Sequence, residues 1–116
     1  MKKIKKLLLM LMIGVWASGA IAHSPLKITI PADESTVSLV PSEVILEFKD
    51  KIRLTKVSVV HVNNPGMDLD LTDFKGFNST YVIPMHDMGS GDYVINWRGL
   101  GADGHALTGY FSFTVR

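Results

Sequence analysis

Histidine 23 stands directly after Ala20-Ile21-Ala22, and cleavage after Ala22 would make it a new N-terminus. A free amine and the imidazole of the same residue can then chelate one metal ion, which no internal histidine can do. Far along the chain, Asp103 and His105 are two apart in the loop of residues 98–107. In an extended segment such residues leave on the same face, so an oxygen and a nitrogen ligand could reach one ion. Together these positions offer three nitrogens and one oxygen, the tetragonal donor set that suits Cu(II), whereas zinc would take the same ligands in a tetrahedron. A plain turn is the competing reading of the loop. Asp103-Gly104 is a favoured turn dipeptide, and a histidine beside it can simply be solvated.

The processing site follows from the first 22 residues. Lys2, Lys3, Lys5 and Lys6 form a positive start, and residues 7–16 form an apolar run. That run suits a signal peptide and is shorter than the roughly 20 apolar residues a membrane-spanning helix needs. Small residues at positions 20 and 22 complete a cleavage signal. The expected organisation is therefore a leader over 1–22 and one secreted domain over 23–116.

Removing the leader changes the charge. The whole chain is formally +1, but the domain keeps 8 basic against 11 acidic side chains, a net of −3. Nucleic acid and anionic membrane surfaces are poor partners for it, since both need clustered Lys and Arg. There is no cysteine, so any metal must be held by nitrogen, oxygen or thioether.

Short strands punctuated by Pro and Gly run through the domain. Val44, Leu46 and Phe48 alternate on one face, Val57 and Val59 point inward from a separate strand over 56–62, and Tyr93, Ile95 and Trp97 share a side. Phe111, Phe113 and Val115 alternate against Tyr110, Ser112 and Thr114. Further short strands are expected over 26–30 and 80–83, and Asn63-Asn64-Pro65-Gly66 reads as a turn. The expected fold is all-β: a Greek-key β-sandwich or barrel.

Several motifs are decoys. Gly99-Leu-Gly101-Ala-Asp-Gly104 has the letters of a dinucleotide fingerprint, but a strand rather than a helix should follow it. Asp68, Asp70 and Asp73 lack the glycine and closing glutamate of a calcium loop. Ser90 lacks a nucleophile-elbow context.

The chain resembles the CopC family of periplasmic copper-resistance proteins. The resemblance lies in His23-Ser-Pro-Leu, in Ile30-Pro-Ala-Asp-Glu34 against the family's P-A-D/E-G turn, and in the segments Gly91-Asp-Tyr-Val-Ile-Asn-Trp-Arg98 and Asp103-Gly-His-Ala-Leu-Thr-Gly109. It implies a small immunoglobulin-like or cupredoxin-like barrel that binds copper without catalysis and works with an inner-membrane permease of the CopD type. The family's Cu(II) ligands fall on His23 (amine and imidazole), Asp103 and His105. A further acidic position falls on Asp50, where the side chain is a methylene shorter than the Glu of some members. One branch of the family binds Cu(I) through several methionines and a histidine after the third strand. Here residues 61–73 hold only His61 and Met67, and a sparse site would have to combine Met67 with Met85 and His86, while Met88 reads as a core filler. Arg98 is expected to pair with Asp103 or orient it.

Two rival functions remain open from sequence. A copper oxygenase could use His23 in a histidine brace, but needs an open coordination position that Asp103 would fill. A plain sandwich serving as an interaction module would leave the histidines incidental.

Overall fold

The computed structural model describes residues 25–62 and 64–116, and all the regular structure among them is strand. The strands are β1 (Leu26–Ile30), β2 (Ser35–Val37), β3 (Glu43–His61), β4 (Asn64–Asp68), β5 (Asn78–Pro84), β6 (Gly91–Leu100) and β7 (Ala106–Val115). They form one curled sheet in the order β1-β3-β6-β7-β2, with β4 and β5 also paired to β3. The expected all-β sandwich is what the chain adopts.

Strand β3 organises the fold. It runs for 19 residues instead of ending after Phe48 as the sequence suggested. Its first part pairs with β1 and β5, and its second with β6 and β4. The change of partners falls where alternation breaks: Lys49, Asp50 and Lys51 are consecutively exposed, then Ile52 and Leu54 turn inward. Because the strand folds over there, its corner lies at one end of the molecule and its two termini near the other.

A buried tyrosine pins this corner. The Tyr81 hydroxyl donates to the Ile52 carbonyl at 2.6 Å and accepts from the Leu54 amide at 3.2 Å. These backbone groups sit where the ladder shifts register, so the phenol supplies partners the sheet does not. At the opposite end, the Tyr93 hydroxyl donates to Gly89 O at 2.7 Å and accepts from Met88 N at 3.0 Å. Burial pushes this phenol's pKa up, which keeps it a donor.

Between the corners lies the core expected from alternation. Val44, Leu46, Phe48, Val57, Val59, Tyr93, Ile95, Trp97, Phe111, Phe113 and Val115 are all buried. Phe48 meets Trp97 edge-on with centroids 5.0 Å apart, and Tyr93 stacks on Phe113 at 5.0 Å. Gly109 is required opposite Trp97, since a Cβ there would come within 2.7 Å of the indole.

Two strands escaped the sequence pattern. β4 occupies the stretch expected to be a turn; as an edge strand on β3 it tolerates Pro65. β2 has three residues and pairs in parallel with β7, too short to carry a periodic signal. Replacing Tyr81 by Phe removes the clamp's hydrogen bonds to the Ile52 carbonyl and the Leu54 amide. Urea unfolding should show a loss of about 1–3 kcal/mol, and an unchanged midpoint would mean the hydroxyl does not hold the corner.

Candidate metal centre

Three separate parts of the chain meet at the corner end. The first is the β3 corner itself, carrying Asp50. The second is the start of β1, where the Pro25 carbonyl accepts a hydrogen bond from Lys49 N at 2.9 Å. The third is the β6–β7 loop. Pro25, Asp50, Asp103, His105 and Leu107 line one cleft of about 560 Å³ between them. Leu107 packs its side chain against the core and roots the loop.

The loop is held by its own backbone. Gly101 N donates to the His105 carbonyl at 2.9 Å, and Gly104 N donates to the Gly101 carbonyl at 2.9 Å. Gly104 has φ +87°, a left-handed conformation that glycine adopts without steric cost. The Asp-Gly turn is therefore real. Closing the turn also brings the Asp103 and His105 side chains together.

Asp103 Oδ2 lies 2.9 Å from His105 Nδ1, and Asp103 Oδ1 accepts the His105 backbone N–H at 3.1 Å. With Nδ1–H donating to the carboxylate, the imidazole presents Nε2 outward as a lone pair once its second proton is lost. This carboxylate–histidine arrangement is one that orients metal-binding imidazoles. The hydrogen bond to Asp103, and then its charge, raises the His105 pKa. The hydrogen bond from the His105 side chain, and then from its backbone, lowers that of Asp103. The pair is 83% and 68% exposed, so as a surface ion pair it contributes little to folding, while both side chains remain reachable by an ion.

The other sequence candidates separate clearly. Asp50 lines the cleft, yet among the described residues no three of His, Cys, Asp and Glu converge as one metal cluster, so it stands apart from the pair. His23 and the leader over 1–22 lie outside the described residues. Arg98 does not pair with Asp103. It follows the buried Trp97, so strand alternation sends its side chain to the outer face of the sheet. Met85 is buried in the core and His86 beside it is exposed, which splits the two across the chain, while Met67 is half-buried on β4. His61 is buried too, with Nε2 2.8 Å from Ser90 O and its ring against Tyr93. Sequence reasoning missed the parts that build the cleft without donating ligands, namely Tyr81, the Pro25 carbonyl and Leu107. Short-strand alternation marks Tyr81 as inward but carries no sign of what its hydroxyl touches.

Comparison with known proteins matches residues 26–116 to the CopC domain model. The chain belongs to the CopC family. Curated relatives include Copper resistance protein C of Escherichia coli, 28% identical over 91% of this chain and 90% of that protein. Copper resistance protein C of Xanthomonas campestris pv. juglandis is also 28% identical, over 86% and 85% of the two chains. Among solved structures, CopC from Methylosinus trichosporium OB3b has the same fold, with a TM-score of 0.66 and 23% identity, covering 80% of this chain and 93% of that one. PcoC of Escherichia coli, described as a methionine-rich copper resistance protein, gives a TM-score of 0.56 at 28% identity, covering 82% and 100%.

In this CopC domain the Asp103–His105 contact is open to direct measurement. Asp103→Ala removes the interaction that holds the imidazole proton, so the His105 pKa should fall back towards the usual histidine value of about 6.5. An NMR titration of the imidazole protons reads this, and an unmoved midpoint would show that the contact does not form in solution.

Proposed function

We propose that this protein binds one Cu(II) ion in the cleft and carries or buffers it in the periplasm. The ligands are the His23 amine and imidazole, the His105 imidazole and the Asp103 carboxylate, with Asp50 outside the coordinating set. The Nδ1–Oδ2 contact opens on binding, because Nε2 faces away from the carboxylate that holds Nδ1. The observation that carries this reading is that one turn holds Asp103 and His105 side by side in a cleft that Pro25 also lines. His23 precedes Pro25 by two residues, and a chain fully extended over that span covers at most about 7 Å. The relatives' names, which describe copper resistance, support the choice of metal.

The chemistry of the donors supports Cu(II) over Cu(I). Nitrogen and carboxylate oxygen suit the harder ion, whereas the thioether of Met85 is committed to the core. Each nitrogen must shed a proton before it binds, and the Asp103 contact makes His105 hold its proton to higher pH than a free imidazole. Copper uptake therefore weakens as the solution is acidified through the histidine range. Asp103 gives up its contact with His105 Nδ1 when it takes the ion, while its Oδ1 can still accept the His105 backbone N–H. In this reading Asp103 fills the position an oxygenase would leave open, so the protein holds its cargo without transforming it and exchanges it with a CopD-type permease of the inner membrane.

Electron paramagnetic resonance of the form beginning at His23, with one equivalent of Cu(II), should show a tetragonal, nitrogen-rich centre. His105→Ala and a single residue added before His23 should each weaken binding by tenfold or more. Identical spectra and affinities in all three proteins would overturn the assignment.

A further inference from the structure

The outer face of β3, β6 and β7 bears a feature that the cleft does not use. Lys56 stands directly opposite Arg98 on the neighbouring strand, with Thr108 next across on β7. The adjoining cross-strand row is Ser58, Asn96 and Tyr110. These six residues line a shallow groove of about 320 Å³.

Like charges directly opposite each other on adjacent strands destabilise a sheet. Here the face neutralises them only in part. Lys56 Nζ forms a loose, exposed ion pair with Asp68 at 4.0 Å, whereas among the described residues Arg98 has no ion-pair partner. The cation rung also sits on a domain whose net charge is −3, so it is a local exception to the overall field. Beside it Tyr110 is 68% exposed, the only large aromatic ring among the described residues to be so open. Arginine and tyrosine are the residue types that dominate binding energy at protein interfaces, and a guanidinium fork matches a carboxylate with two hydrogen bonds.

We propose that this groove docks an acidic segment of a partner protein, with a carboxylate on the Lys56–Arg98 rung and the neighbouring chain lying against Tyr110. Ser58, Asn96 and Thr108 supply side-chain hydrogen bonds along the same track. The groove opens on the sheet face, whereas Asp103 and His105 project from the loop beyond Leu100, so an occupied groove leaves the cleft open. The inference rests on surface charge and register alone and stands whether or not the cleft takes copper.

The test uses the metal-free chain from His23, labelled with ¹⁵N, and an N-acetylated octapeptide of alternating Glu and Ser. Shift changes should concentrate on Lys56, Ser58, Asn96, Arg98, Thr108 and Tyr110. Arg98→Glu should weaken the peptide tenfold or more, while Lys75→Glu, an equal charge change elsewhere, stays within twofold of the parent. Arg98→Glu also sets opposite charges across the rung, so its melting temperature should hold or rise. The proposal falls if the shifts map elsewhere or if Lys75→Glu loses as much. It also falls if a Gln–Ser peptide or free glutamate at equal carboxylate concentration binds as well, or if Arg98→Glu melts lower.

Discussion

The crossing of β3 from one half of the sheet to the other, held by the Tyr81 hydroxyl, is the constraint on which the remaining geometry depends. A strand that changes partners must leave some backbone groups out of register, and buried unpaired groups are costly. The phenol meets two of them. With the corner fixed, β1 must begin beside Lys49, β5 must begin beside Ile52, and β6 must end beside Arg53. The start of β1, the only run of three charged residues in β3 and the loop of the last hairpin are thereby gathered at one end without any disulfide.

That gathering explains how a small domain can build a site from residues some eighty positions apart. The Asp103–His105 pair is oriented locally, by a turn that needs only its own hydrogen bonds and one left-handed glycine. The placement of the pair relative to Pro25 is global and depends on the corner. The two parts of the problem are solved by different physics, local turn chemistry and core packing. High exposure of Asp103 and His105 fits the proposed exchange of an ion, because a buried charge pair would be expensive to desolvate.

The inward faces of β3, β6 and β7 were legible because period-two alternation of Val, Ile, Phe and Tyr is unambiguous over ten residues. The single continuous β3 was not, since Lys49-Asp50-Lys51 has the polarity of a loop and only the partner strands reveal it as a crossing. β4 was hidden by Asn-Pro-Gly, whose turn preference yields to hydrogen bonding along an open edge. Among site residues, Asp103 and His105 could be paired from spacing alone. Asp50 came only through the family pattern, and the structure places it on the cleft wall rather than with the pair. Arg98 was misjudged because nearness in sequence to the loop suggested nearness to Asp103, while alternation after Trp97 sends it to the other face.

The proposed function puts one Cu(II) ion between the start of β1, the β3 corner and the β6–β7 loop. Paramagnetic broadening of backbone amide signals, on adding substoichiometric Cu(II) to the ¹⁵N-labelled domain, reads that position directly. The account predicts selective loss of the signals of Lys49 to Lys51 and of Gly101 to Leu107. Loss centred instead on His61, His86 and Met88, at the opposite end, would contradict it.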